Sequence, residues 1–307
     1  MIRSLLTLVT ALAVTPVLAP AAHASTEFQQ VAIDLSSLQV PAEAEITLTW
    51  QPQISPTYAE CKTADRAESA GLLTSVTASC WATESQTITV TASYAGQQAS
   101  AQLAFTSPKP AGSPRDYRLM RTPGGQFLKF ESCATIPVRL NLGGAPRNPD
   151  LDFATRFAVR QLAQASGLRL VFKGRSSYMP RRGAEPPSRG IWIGYAYPGA
   201  GKGRSNLLSR GNRDELGIGG PYYSGRTIVS GQLVLSRKNL AKFGGTPLLI
   251  ETLMHELAHT VGVDHSSARG GQIMAPVATG EANVTWGRGD LRALKKVGPG
   301  RTCPAQL

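Results

Sequence analysis

The sequence predicts two unlike domains in one chain, a small all-β, sandwich-like domain over residues 25–108 and a longer α+β domain over residues 116–307. Three observations carry this. Short runs of alternating apolar and polar residues fill the first stretch, which is the period of half-buried strands. After a break rich in proline and glycine (Pro108, Pro110, Gly112, Pro114), the pattern changes to strands alternating with helices. The 307-residue length suits about two domains of roughly 100–200 residues each.

The elements follow in order. Arg3 precedes an apolar stretch from Leu5 to about Ala19, and Ala22-His23-Ala24 offers the small residues that a signal peptidase reads. Residues 1–24 are therefore expected to be a signal peptide, with the mature chain starting at Ser25 and secreted to an extracellular, oxidising medium. A membrane anchor is the competing reading, and the stretch is short for it. Beyond residue 24 no apolar run reaches the length of about 18 residues that a membrane span needs. In the first domain, residues 44–50, 87–91 and 99–105 alternate as strands, and Tyr94–Gln98 with Gly96 reads as a hairpin turn. Cys61 and Cys80 are expected to pair and staple this small domain. Residues 109–115 read as a linker.

In the second domain Ile136–Leu142 reads as a strand. Asn148-Pro149 then supplies a cap and a first-turn proline for a helix running to about Ser166. Four more strands are expected at 168–173, 190–197, 216–223 and 226–235. Thr246-Pro247 opens a second helix with the same cap logic, and 290–297 reads as a short last one. Cys133 precedes the first strand and Cys303 follows the last helix, so a bridge between them would tie the domain's two ends.

Composition excludes disorder: 42% of residues are apolar and 17% charged. The net charge of +12 is uneven, with 4 Lys or Arg against 8 Asp or Glu in residues 1–110 and 28 against 12 in residues 111–307. This asymmetry motivates the expectation that the first domain docks on the second. Arg181-Arg182 and Lys295-Lys296 come without a nucleic-acid motif or interleaved aromatics, so no specific nucleic-acid partner is expected. Gly199-Ala200-Gly201-Lys202-Gly203 lacks the spacing and the hydroxyl residue of a phosphate loop and reads as surface loop.

The second helix carries His255-Glu256-Leu257-Ala258-His259, followed by Thr260-Val261-Gly262-Val263-Asp264-His265. Positions four apart share a helix face, so His255 and His259 can present ring nitrogens to one ion. Glu256 is rotated about 100° from His255 and stands beside the ion as a candidate base. Gly262 can take the left-handed conformation that ends a helix and turn the chain so that His265 becomes a third ligand. Three protein ligands leave a tetrahedral zinc one open position for water. Of the four histidines in the chain only His23 lies outside this pattern, and it leaves with the leader. The pattern H-E-x-x-H-x-x-G-x-x-H would arise by chance in roughly one of several hundred thousand such chains.

The run His255–His265 resembles the extended zinc motif of the metzincin metallopeptidases, and Gln272-Ile273-Met274-Ala275-Pro276 resembles their Met-turn. Ser266 after the third histidine and the Met-x-Pro form of the turn are most similar to the matrixin branch, in its secreted bacterial form. The likeness runs over residues 116–297 and includes 133–138, 191–195 and 289–291. It implies a metzincin-like catalytic domain, a twisted mixed sheet with a zinc-binding active-site helix. It further implies one catalytic zinc on His255, His259 and His265, Glu256 as general base and Met274 beneath the metal. In such a domain the strand at 216–223, with Gly219 and Gly220, pairs with the substrate backbone, and a pocket beside Pro276 and Val277 takes one side chain; a purely structural reading of 216–223 as a glycine-rich turn stands equally beside it.

The departures from the family also inform. No histidine remains for a second, structural zinc, no tyrosine follows Met274 closely, and Cys61 lacks the flanks of a cysteine switch. Acidic residues are not in calcium-loop spacing, so no calcium site is carried over. The expected function is a secreted zinc endopeptidase acting on protein or peptide substrates. The alternative is an extracellular binding protein for an anionic cell-surface polymer with a non-catalytic zinc site. The first domain reads equally as a pro-region, an adhesion module or a folding aid.

Overall fold

The computed structural model describes residues 28–52, 59–82, 85–131, 133–145, 151–209, 215–243, 246–267, 271–277 and 283–299. The expected leader, the Asn148-Pro149 helix start and Cys303 lie outside these residues. The protein is mixed α+β and rich in strands, and it divides into two compact units, Ala24–Lys109 and Pro110–Leu307. No helix among the described residues is long and apolar enough to cross a membrane.

The first unit holds β1 (Gln29–Asp34), β2 (Val40–Pro41), β3 (Thr47–Pro52), β4 (Ala59–Ser69), β5 (Leu72–Ala82), β6 (Gln86–Tyr94) and β7 (Gln97–Phe105). They form two antiparallel sheets. In one, β5 lies between β1 and β2 and also pairs with β4; in the other the order is β3-β6-β7. Alternation drives this: in β6 Gln86, Ile88, Val90 and Ala92 are buried while the residues between them are less so. The β6–β7 turn places Ala95 and Gly96 at φ 48° and 83°, the left-handed pair a two-residue hairpin demands. Cys61 and Cys80 face each other across β4 and β5 and are disulfide-bonded, so the bridge joins neighbouring strands of one sheet. The 11-residue strands β4 and β5 are the longest of the unit, and sequence alternation did not reveal them. Lys62, Thr63, Asp65, Arg66 and Glu68 give β4 a charged, largely exposed surface with no apolar rhythm.

The second unit begins with the short strands β8 (Arg118–Leu119) and β9 (Lys129–Phe130). It continues through β10 (Thr135–Asn141), α1 (Leu151–Ser166), β11 (Arg169–Arg175), β12 (Gly190–Pro198), β13 (Arg204–Ser205), β14 (Gly217–Ser224) and β15 (Thr227–Ser236). It ends with α2 (Arg237–Phe243), α3 (Thr246–Thr260), β16 (Val263–Asp264) and α4 (Arg288–Val297). The main sheet runs β11-β10-β12-β15-β14, with β13 on β12 and β9 on β15. The first four strands are parallel and β14 returns antiparallel to β15 as the last strand. Parallel strands covered on both faces read as continuous apolar runs, and β12 is buried from Gly190 to Ala196. α3 packs against α1, β14 and β15. Cys133 is disulfide-bonded, while Cys303, the partner expected for it, is not described. The stretch expected as a linker is tied to this unit from Ala111 onward, where its carbonyl accepts the Arg288 N–H at 2.7 Å.

Candidate metal centre

The centre grows from α3, whose residues from Leu249 to Thr260 are all buried. Burying two histidines and a glutamate on one helix is costly unless those groups find partners. The two histidines do. The His255 Nδ1 lies 2.6 Å from the Ile273 carbonyl and the His259 Nδ1 lies 2.8 Å from the Val263 carbonyl. A carbonyl only accepts, so each Nδ1 carries the proton and each Nε2 keeps a lone pair.

Gly262 ends the helix at φ +97°, and a Cβ there would stand 2.7 Å from the Leu128 carbonyl oxygen. Both facts demand glycine. The chain then turns, and His265 brings its Nε2 to 3.1 Å from that of His255 and 3.2 Å from that of His259, which are themselves 3.0 Å apart. With Nδ1 protonated on His255 and His259, no hydrogen lies between their two Nε2 atoms, so the cluster is repulsive unless a cation sits over it. His255, His259 and His265 would together hold one zinc ion, which would supply a Lewis acid and a water of lowered pKa. The donor set and its geometry fit zinc. Burial and the neighbouring rings hold the His255 imidazole down to about 3 and that of His259 well below its ordinary value. Both rings are thus neutral, as ligation requires.

Glu256 is buried beside the cluster, and its Oε1 has no hydrogen-bond partner. Burial first, then the facing carboxylate of Glu215, pushes its carboxyl well above the usual range, while the Gly219 N–H donates to it and pulls the other way. A Cβ on Gly219 would lie 2.6 Å from the Glu256 carbonyl oxygen and one on Gly217 would lie 2.9 Å from Glu256 Cγ, so β14 approaches the helix through its glycines. The Leu216 carbonyl accepts the Ser236 N–H at 2.8 Å. With Gly217 opposite Leu235, even-numbered residues of β14 therefore bond inward, and Gly217, Gly219 and Pro221 turn their main-chain groups to the free edge. Gly220 bonds inward to β15.

The floor of the centre is the 271–275 turn. Met274 is buried, and its carbonyl accepts the Ser266 N–H at 2.8 Å. Asp290, in the first turn of α4, accepts the N–H groups of Ile273 at 2.8 Å, Met274 at 3.3 Å and Gly287 at 2.9 Å. The carboxylate holds the turn whose Ile273 carbonyl in turn holds His255, an outer-shell arrangement that fixes ring orientation. Pro276 and Val277 follow the turn, both part-exposed.

Sequence spacing brought the three histidines and Glu256 together, and the structure places them at one point. It did not single out Glu215, Gly217 or Asp116, whose roles rest on contacts far apart in sequence. A buried acid such as Glu215 carries no local signal. No model of a known protein family matches the chain, and no curated protein matches it either.

Proposed function

We propose that this chain is a secreted, zinc-dependent endopeptidase that hydrolyses peptide bonds in proteins, with a metzincin-like catalytic domain of the matrixin branch. One observation carries the reading: three Nε2 atoms converge within 3.2 Å beside a buried carboxylate that has an unpartnered oxygen. A zinc ion held by His255, His259 and His265 would polarise a scissile carbonyl and make water acidic enough to ionise near neutrality. Glu256 Oε1 takes the water proton as the oxygen attacks the carbonyl carbon, then delivers it to the departing amine as the C–N bond breaks. The carboxylate ends the cycle as it began it.

The free edge of β14 supports substrate binding by strand addition. Gly217 offers an N–H and a carbonyl, Gly219 a carbonyl, and main-chain pairing of this kind gives affinity with little sequence preference. Pro276 and Val277, part-exposed after the turn, would line a pocket that selects one side chain. A purely structural zinc fills all four positions and needs no free carboxylate beside it, so the retained Glu256 favours the enzyme over the polymer-binding reading. Secretion rests on the leader-like residues 1–24, and the Cys61–Cys80 bridge suits an oxidising medium.

The test is metal analysis of the purified chain together with hydrolysis of an unfolded protein substrate. Stoichiometric zinc and hydrolysis that stops with chelator and returns with zinc are expected. Chelator-insensitive hydrolysis, or full activity in Glu256→Gln, overturns the proposal.

A further inference from the structure

The second unit opens with a strap, residues 111–120, that crosses the metal half of the fold before the main sheet begins. Its first anchor is the Ala111 carbonyl on the Arg288 N–H at the head of α4. Its last is the ladder in which Leu119 and Arg118 of β8 pair with Val263 and Asp264 of β16, continued by the Met120 N–H to the Gly262 carbonyl at 2.9 Å. These are the residues between the second and third histidines.

Between the anchors sits Asp116. Its Oδ1 accepts the Ser267 N–H at 2.8 Å, and its Oδ2 accepts the Ser267 hydroxyl at 2.7 Å and the Gln272 side-chain amide at 3.1 Å. That same amide reaches the Asp116 carbonyl at 2.8 Å, and the Gln272 side-chain oxygen accepts the Gly289 N–H at 2.5 Å. Gln272 is buried, and a Cβ on Gly289 would collide with the Asp116 carbonyl, so the contact is close-fitted rather than incidental.

The position of these partners gives the contact its meaning. Ser267 stands two residues after His265. Gln272 immediately precedes Ile273, whose carbonyl orients His255, and stands two before Met274, whose carbonyl holds Ser266. One carboxylate, 151 residues from Ser267 in sequence, thus ties the chain leaving the third ligand to the turn that supports the first.

Resting on the reading of the three histidines as a zinc site, we propose that Asp116 is a positioning residue of the metal centre. It sets where His265 stands relative to His255 and His259, so the affinity for metal depends on the strap. The chemistry requires a carboxylate. Two oxygens accept three donors here, and an amide in its place would turn its own donors toward at least one of them.

The experiment measures zinc affinity of the full chain by competition with a chromophoric chelator, and the visible spectrum of the cobalt-substituted protein. The variants are Asp116→Ala, Asp116→Asn, Ser267→Ala and, as reference for a lost ligand, His265→Ala. Asp152→Asn, which removes an exposed ion pair with Arg175, serves as control. Loss of an outer-shell partner typically weakens metal binding about 10–100-fold. Asp116→Ala and Asp116→Asn are expected near the lower figure, with Ser267→Ala losing less. A shift of the cobalt bands reports altered ligand geometry, which a merely stabilising contact would leave unmoved. Asp116→Asn with native affinity and native cobalt bands overturns the inference even if Asp116→Ala does not fold. A native chain that binds zinc no more tightly than His265→Ala overturns the metal centre itself, and the inference with it.

Discussion

The buried residues of the first unit are small and apolar for the most part: Ile33, Val76, Ala78, Ile88, Val90 and Ala92 fill the space inside its sheets. Around α3 in the second unit, His255, Glu256, His259, Thr260, Gln272 and Asp290 are buried just as deeply. One unit is stabilised by removing apolar surface from water, and the other accepts the cost of removing polar groups as well. What makes this tolerable is pairing. Each polar group named around α3 has a carbonyl, an amide or another side chain set against it, and the Glu256 Oε1 is the exception among them. An unpartnered buried oxygen standing beside the three histidines is a place where chemistry is expected.

The sharpest way to break the comparison is to replace the exceptional atom. Glu256→Gln keeps shape and burial, so it should retain zinc and lose about 10²–10⁴-fold in kcat. Unchanged kcat would mean that the unpartnered oxygen is a mere packing accident. Next in size is a change in the apolar unit. Replacing Cys61 and Cys80 together with Ala opens a loop with a sequence separation of 19 and should cost about 3 kcal/mol in denaturant unfolding of the first unit. Zinc content should not change. Coupled loss of zinc would show that the contrast between the units is false.

A smaller effect is expected where strand meets helix. Gly219→Ala puts a methyl 2.6 Å from a backbone oxygen of Glu256, and overpacking of this kind costs about 1–3 kcal/mol. Peptidase activity should fall roughly 10–100-fold, while the same change at exposed Gly225, where only the left-handed φ of +58° resists it, should lower stability and leave kcat untouched.

The smallest concerns Asp290. Burial pushes its carboxyl up to about 6, against the pull of three N–H donors and with Asp116 adding to the push. The native state therefore holds this proton more tightly than the unfolded chain, where the ordinary value is 3.8. Its stabilising contribution is present below pH ~4 and is lost as pH rises through ~6. Melting of the second unit should show that slope across the window and a flatter one in Asp290→Asn. Equal slopes would remove Asp290 from the account.

The residues of the centre were legible to the extent that their geometry is local. His255 and His259 share a helix face by spacing alone, and Gly262 announces the turn that returns His265. Asp116, Glu215 and Gly217 were not legible, because tertiary contacts assign their roles. The same distinction runs through the fold. β6, β7, β12 and β15 carry their burial in the pattern of side chains. β4 carries a charged outer face, and β8 and β16 are two-residue strands held by pairing rather than propensity. Elements with an apolar rhythm could be read, whereas β4, β5 and the short straps that close the metal half could not.

Pro221 has one more consequence. It is a buried residue of β14, the last strand of the main sheet, with its missing N–H on the side away from β15, four residues after Gly217, where a glycine-rich stretch begins. An open strand edge invites a second copy of the same chain to zip onto it, and proline at the rim is one of the ways natural sheets prevent this. The edge is thus sticky over a short window and blunt beyond it. On the proposed reading of β14, proline at this position would limit edge-to-edge association while leaving the glycine stretch able to pair with a substrate strand.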